Sequence, residues 1–252
     1  MKQLHKIFLF VSTLSFTGLF AQTTTPVSGV MSADSIFNKY YQATGGKGLW
    51  DSVQTYTIKQ TYRSGSANDY DLDILGSLPL EALSRTRTIM KRDFIYGIRG
   101  TDGWLKIPLG SRDKVTRYQT SDLSEKERET MRRELRDLLN AFDDYTQKGY
   151  IATVVAGTEL INTKPAYQVE LEGKTVKYNL YFDVVSGLLV REKLTLPANE
   201  IQTRDHSKYI KSTYGLLYPS ESVLVSSIDK KSVKVTTVMD FNTRMAEDAF
   251  VR

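Results

Sequence analysis

The amino-acid sequence predicts a mainly β protein of the α+β class, a curved antiparallel sheet accompanied by two amphipathic helices. From Tyr150 onward, short segments rich in β-branched and aromatic residues follow one another, and turns rich in glycine separate them. Segments linked at such short intervals are typical of an antiparallel meander. The 15 tyrosines also favour sheet. Because helices do not alternate with these strands, the pattern disfavours a parallel sheet of the dinucleotide-binding type.

The first residues indicate export. Two lysines precede an apolar run that ends near Phe20, and the small residue Ala21 follows at the expected cleavage position. A basic start, a short apolar run and a small residue are typical of a secretory signal, so we expect a signal peptide over residues 1–21. Residues 22–31 are small and polar and predict a flexible lead-in. Residues 32–252 are expected to form a single domain.

Composition limits the cellular address and the partners. The chain has no cysteine, which excludes disulfides, thiolate metal sites, a thiol nucleophile and a lipid-anchored cysteine after the signal. The net charge of +5 is mild and the charges are interspersed, so no nucleic-acid footprint is indicated. No stretch after the signal is long and apolar enough to span a membrane. We therefore expect a soluble monomer in a bacterial periplasm, with full secretion as the alternative.

Two segments have the apolar spacing of amphipathic helices. The first begins after Ser32 or Asp34, either of which is a suitable N-cap, and ends at the glycines of residues 44–48. The second covers residues 124–142 and begins with a capping box, Ser124 and Glu127. It either packs permanently on a core or acts as a lid over a cavity. Its apolar stripe consists of Met131, Leu135, Leu138, Leu139 and Phe142.

The strands offer one apolar face that we expect to line a hollow. Residues 52–63 alternate between apolar and polar side chains, and the hairpin of residues 178–194 turns at Asp183 to Gly187. Pro79 argues against a central strand at the end of residues 70–83. The side chains predicted to face the hollow are Tyr56, Ile58, Tyr62, Leu180, Phe182, Leu188 and Val190.

The chain lacks the residue patterns of familiar catalytic and metal sites. Only His5 and His206 are present, and His5 falls in the signal, so a His-based metal site is excluded and His206 is interpreted as an ordinary surface or strand residue. No nucleophile elbow or phosphate-binding loop occurs, because the "GGKG" of residues 45–48 follows a helix. Asp69, Asp71 and Asp73 alternate, but the rest of a calcium loop is missing. We expect no metal, no cofactor and no enzymatic activity.

Four stretches, in order along the chain, resemble the outer-membrane lipoprotein-sorting proteins, the LolA/LolB-like superfamily, in the divergent form common in Bacteroidota. They are "YYQATGGKGLWDSVQTYTIKQTYR", "GTDGWLKIPLG", "LYFDVVSGLLVREKL" and "YGLLYPSESVL" with "VTTVMDFNTRMAEDAFV". The resemblance implies a half-open antiparallel barrel around helices, with an apolar concave face that holds lipid acyl chains. It also implies an arginine that locks the lid, for which Arg85, Arg87 and Arg92 are candidates.

The resulting hypothesis is a non-enzymatic periplasmic carrier of lipidated protein or other acyl-chain cargo. One alternative is an envelope protein-interaction or stress-sensing module, whose hollow would be filled by its own side chains. A second alternative is an enzyme that uses carboxylates with tyrosine or arginine on the concave face, because fold alone does not determine function.

Overall fold

One curved antiparallel sheet of fourteen strands dominates the computed structural model, which describes residues 31–66, 69–111, 114–246 and 248–252. The predicted mainly β class is confirmed, and the sheet does not close on itself. The predicted signal and nearly all of the predicted lead-in lie outside the described residues. The strands are β1 (Thr55–Arg63), β2 (Tyr70–Ser77), β3 (Ala82–Ile89), β4 (Arg92–Arg99), β5 (Asp102–Ser111), β6 (Lys114–Asp122), β7 (Ile151–Val154), β8 (Glu159–Ile161), β9 (Lys164–Glu172), β10 (Lys177–Asp183), β11 (Leu189–Thr195), β12 (Ile201–Lys211), β13 (Leu217–Ser226) and β14 (Ser232–Phe241).

The sheet consists of two meanders joined in the middle. Its order is β6-β5-β4-β3-β2-β1-β14-β13-β12-β11-β10-β9-β7, and β8 pairs with β9 beside this path. The junction is the pair β1–β14, in which Tyr56 lies opposite Phe241 and Ile58 opposite Met239. The first strand in chain order, β1, and the last, β14, therefore lie side by side near the middle of the sheet.

Three helices are described: α1 (Ala33–Thr44), α2 (Lys47–Asp51) and α3 (Glu125–Asn140). The Ser32 side chain caps α1 by accepting from the Ser35 amide at 3.2 Å, as predicted. The capping box of α3 is present too. The structure ends α3 two residues before the predicted Phe142, which lies in the following turns. Among the described residues, no helix has the length and apolarity needed to cross a membrane.

The face of the sheet that contacts α1 and α3 is called the inner face below. An aromatic cluster joins α1, the turns after α3 and β10, and it consists of Phe37, Tyr40, Phe142 and Phe182. The Phe37 and Phe142 rings stack at 4.8 Å, and Phe182 meets Phe142 edge to face at 5.4 Å. Each such pair contributes roughly 0.5–1.5 kcal/mol beyond its area burial. The cluster therefore fastens the N-terminal helix to the sheet.

The hairpin between β10 and β11 follows the prediction up to its turn and departs from it afterwards. The Asp183 carboxylate accepts from the Val185 and Ser186 amides at 3.1 and 2.6 Å, and Gly187 has a φ of 74°. Leu180 and Phe182 are fully buried. The turn thus has the Asp-bonded, left-handed geometry that the sequence predicts.

The expectation that Leu188 and Val190 face the hollow is corrected. A β-bulge breaks the register, because Tyr181 lies opposite Arg191 whereas Phe182 lies opposite Leu189. The extra residue moves Val190 to the outer face, where it packs on a small cluster around Tyr181. Leu188 is half-buried in the connection before β11. Leu189 occupies the inner position instead, since one added residue reverses the facing of a strand.

Two other expectations concern β2 and the residues on either side of it. Strand β2 stops at Ser77, before Pro79, so the proline falls in a turn, as its missing amide requires. The alternating aspartates do not form a cluster with a ligand role: Asp71 pairs with Arg63, and Asp69 accepts from the Ser64 amide at 2.7 Å. Asp73 is exposed on the outer face.

Gly76 gives a test of the close fit between β1 and β2. It lies opposite Tyr56, and a Cβ at this position would come within 2.2 Å of the Tyr56 ring. We expect Gly76→Ala to lower the free energy of unfolding by about 1–3 kcal/mol, because the buried ring must shift. Urea denaturation measures the change. Gly48→Ala is the matched control, since nothing lies within 4 Å of a Cβ there, and an equal loss in both variants would contradict the packing argument.

Candidate functional site

A cavity of about 370 Å³ lies between the inner face of the sheet and α3. Strands of both meanders line one side, and the second half of α3 with the following turn lines the other. This volume is near the lower end of the range typical of small-molecule pockets, roughly 300–1,000 Å³. The apolar lining residues are Tyr40, Trp50, Ile58, Leu72, Ile74, Leu138, Leu139, Ala141, Phe142, Tyr178, Leu180, Leu189, Leu194, Leu196, Tyr218, Pro219, Leu224 and Met239.

The structure brings about half of the predicted cargo and lid residues to this cavity. From the sheet, Ile58, Tyr62 and Leu180 line it. Tyr56 and Phe182 are buried on the inner face but pack against the helices instead of the cavity. Within the predicted lid, Leu138, Leu139 and Phe142 line the cavity, whereas Met131 and Leu135 are buried on α3 outside the cavity lining. The role of these residues in cargo binding stays a prediction.

The three candidate arginines have different surroundings. Arg85 reaches α3, where its Nη1 donates to Glu134 Oε2 at 2.8 Å. Arg87 lies 3.9 Å from the centre of the Tyr70 ring, on β2, and not against a helix. Arg92 donates to the carbonyl of Pro108 at the far end of β5. Of the three, only Arg85 connects the sheet to the helix, which the sequence did not distinguish.

A buried carboxylate fixes the second half of α3. The Asp137 Oδ2 accepts from the hydroxyls of Tyr150 at 2.6 Å and Tyr178 at 3.0 Å, and Lys148 lies 3.5 Å from Oδ1. Burial lowers the pKa of Lys148, and Asp137 partly restores it. Burial also raises the pKa of both tyrosines, so all of these hydroxyls donate at neutral pH. Tyr56 adds a further link by donating to the Leu135 carbonyl at 2.7 Å.

The apolar stripe predicted for α3 does not include Asp137, but the structure buries this residue. Its side chain is only 5% exposed and borders the cavity. Helical spacing alone does not separate it from the arginines next to it. What marks Asp137 as a buried residue is its set of partners, Tyr150, Tyr178 and Lys148. Only the fold brings these three side chains to one carboxylate.

A row of polar side chains crosses the sheet side of the cavity, and we call it the polar belt. It comes from five consecutive strands of the sheet, β11, β12, β13, β14 and β1. Its inward positions alternate with outward ones, as pleating requires. The sequence analysis missed it as a unit, because its eight members are spread over five strands that only the fold brings together. The members are Gln60, Tyr62, Glu192, Gln202, Arg204, His206, Ser222 and Thr237.

Hydrogen bonds connect part of the belt. Tyr62 donates to Gln60 Oε1 at 2.7 Å, and Gln60 Nε2 donates to Thr237 Oγ1 at 3.2 Å. His206 Nδ1 lies 2.9 Å from Ser222 Oγ. Arg204 is held more weakly, since its Nη2 is 3.4 Å from the Tyr62 hydroxyl. The Arg204 Nε is 3.7 Å from Glu192 Oε1.

Two titratable groups of the polar belt, Glu192 and His206, are buried away from solvent. Burial raises the pKa of Glu192, against the opposing effect of Arg204. Burial, with help from Arg204, lowers the pKa of His206 to about 3. His206 is therefore a neutral strand residue at pH 7, only 8% exposed, and not a surface residue. Within the described residues, no group of three metal-ligating acids or histidines comes together.

His206 predicts a pH dependence of stability. Its pKa falls from 6.5 in the unfolded chain to about 3 in the fold, so its contribution is present above pH 6.5 and is lost as the pH falls toward 3. At pH 4 to 4.5, we expect the wild type to have lost on the order of 2–3 kcal/mol more than His206→Gln relative to pH 7. Urea denaturation across pH 4–7 measures both proteins. Parallel pH profiles would contradict the assignment.

Comparison by sequence finds no matching family model and no matching curated protein. Comparison by structure finds clear likenesses. A putative outer membrane lipoprotein-sorting protein domain from Vibrio parahaemolyticus is 12% identical with a TM-score of 0.52, covering 86% of this chain and 94% of that one. The LolA superfamily protein NE2245 from Nitrosomonas europaea is 14% identical with a TM-score of 0.54, covering 88% and 98%.

A third solved structure, a DUF1329 family protein from Desulfovibrio piger, is 11% identical with a TM-score of 0.55, covering 86% of this chain and 96% of that one. At identities this low, the likeness concerns the fold and not the activity. The three matches each cover most of both chains, so they apply to the whole sheet with its helices. This chain therefore has the LolA-like fold of the lipoprotein-sorting proteins, as its sequence resemblance predicts.

Proposed function

We propose that this chain is a non-enzymatic periplasmic carrier of hydrophobic cargo with acyl chains, similar in role to the lipoprotein-sorting proteins. The observation that carries the proposal is the cavity of about 370 Å³ between a curved sheet and an amphipathic helix, in whose lining apolar side chains outnumber polar ones. Apolar burial drives such binding at roughly 25 cal/mol per Å² before association costs. The superfamily fold supports the same role, and the predicted signal peptide supports the address.

The connections of α3 support a lid that opens from one end. The second half of the helix is held by the buried Asp137 with its two tyrosines and Lys148. The middle is held by the half-buried pair of Arg85 and Glu134, which is much less costly to break. Of the three candidates, we therefore propose Arg85 as the arginine that locks the lid, in preference to Arg87 and Arg92.

A protein-interaction module is the second candidate. The aromatic cluster of Phe37, Tyr40, Phe142 and Phe182 fills the space beneath α1 with the protein's own side chains. A chain in which such side chains fill the whole hollow would serve as a rigid adaptor. The open cavity beside this cluster favours the carrier.

Acyl-chain uptake tests the carrier proposal. We expect native mass spectrometry of gently purified protein to show bound lipid, and titration to show saturable uptake of a fluorescent fatty acid. Leu139→Trp should reduce uptake by about tenfold or more, because the added ring occupies the cavity. Val238→Trp is the control, since Val238 is 49% exposed. Absence of both bound lipid and uptake would overturn the proposal in favour of the adaptor.

The lid assignment predicts a kinetic effect. We expect Arg85→Met to speed release of the fluorescent fatty acid by about two- to fivefold, because it removes a half-buried ion pair worth up to about 1 kcal/mol. Stopped-flow displacement measures the release rate. Arg87→Met on the same strand is the matched control, as Arg87 lies over Tyr70. Equal release rates in the wild type and Arg85→Met would contradict a locking role.

A further inference from the structure

The polar belt contains two buried nitrogen atoms without a hydrogen-bond partner, Arg204 Nε and His206 Nε2. Both residues line the cavity. Buried polar groups in proteins are nearly always hydrogen-bonded, so unpaired ones call for an explanation. A cavity built only to hold hydrocarbon gains nothing from an arginine and a histidine in its wall, because burying them costs free energy.

The two residues are placed to hold one small polar group. They are two positions apart on β12, so they project from the same face with a separation of roughly 7 Å along the strand. The Arg204 guanidinium has only long contacts, at 3.4 Å to Tyr62 and 3.7 Å to Glu192. Its five donors remain largely available to an incoming acceptor.

His206 supplies a neutral donor next to this cation. Its Nδ1 lies 2.9 Å from the Ser222 hydroxyl. When Ser222 donates to Nδ1, the proton of the neutral ring sits on Nε2, the unpaired atom. A neutral N–H beside a guanidinium matches the two oxygens of an oxyacid anion.

The charges around Arg204 also favour an anion. Glu192 is the nearest acid, and burial raises the pKa of its carboxyl group. Burial thus disfavours the negative charge on Glu192 that would compensate Arg204 in this poorly solvated site. An anionic head group from a ligand would supply that compensation, together with better geometry than the 3.7 Å contact to Glu192.

The rest of the cavity determines how many chains accompany the head group. Apolar side chains such as Leu180, Leu194 and Met239 surround the belt from neighbouring strands. A volume of about 370 Å³ is small for a ligand pocket and suits a single alkyl chain better than two or three.

We propose that the cargo is a single-chain amphiphile with an anionic oxyacid head group, bound by Arg204 and His206, with its chain along the apolar wall. This inference rests on the proposed carrier function and narrows its cargo. A fatty-acid carboxylate and an alkyl phosphate share this chemistry, and the experiment distinguishes them.

The experiment measures displacement of the uncharged probe N-phenyl-1-naphthylamine from the mature chain. The competitors are hexadecanoate, hexadecyl phosphate and hexadecan-1-ol. We expect at least one anion to bind about tenfold or more tightly than the alcohol, because charge-assisted hydrogen bonds form only with the anion. Tighter binding of hexadecanoate identifies a carboxylate head group, and tighter binding of hexadecyl phosphate identifies a phosphate head group.

Arg204→Met should abolish the preference for the anion and leave the affinity for hexadecan-1-ol within about twofold, which also shows that the variant folds. Arg191→Met is the matched control, because Arg191 lies on β11 beside this region but forms its ion pair with Asp205, at 2.7 Å, outside the cavity lining. It should retain the preference.

Two outcomes would overturn the inference in different ways. Equal binding of anion and alcohol, or an undiminished preference in Arg204→Met, would remove the head-group site and leave the carrier function standing. Failure of every competitor to displace the probe, with no saturable probe binding, would overturn the carrier function as well.

Discussion

The pairing of β1 with β14 is the constraint on which the rest of the structure depends. It joins the two meanders at the centre of the sheet and places Ile58 opposite Met239 and Gln60 opposite Thr237. Without this pair, the two meanders would not form one continuous cavity wall, and Gln60 and Tyr62 would be separated from the rest of the polar belt. Because the partners are almost the full length of the domain apart, the contact gains its stability only when both meanders are formed.

The helix α3 covers part of the curved sheet, and the cavity lies between the two. Its apolar stripe packs on the inner face. Buried polar contacts determine how strongly each part of the helix is attached to the sheet. Asp137, with two tyrosine hydroxyls and Lys148, holds one part strongly, because a broken buried pair leaves charges without partners. The ion pair of Arg85 and Glu134 is half-exposed and contributes less. This unequal attachment is the basis of the proposed lid movement of α3.

The polar belt shows where binding and stability are in conflict. Buried arginine, glutamate and histidine side chains in the cavity wall carry desolvation costs that nearby hydrogen bonds only partly offset. The unpaired polar atoms are therefore the basis for proposing a ligand with a polar group of its own.

Local patterns determined much of this protein in advance. Period-two alternation in β1 and β10 identified Ile58 and Leu180 as inward residues, and the capping box located the start of α3. These features depend on neighbours along the chain, so the sequence carries them directly. The same reasoning misplaced Val190, because the bulge opposite Tyr181 is set by pairing between strands. Only the tertiary structure decided the Asp137 links, the Arg85–Glu134 ion pair and the polar belt, since each depends on which strands and helices the fold places side by side.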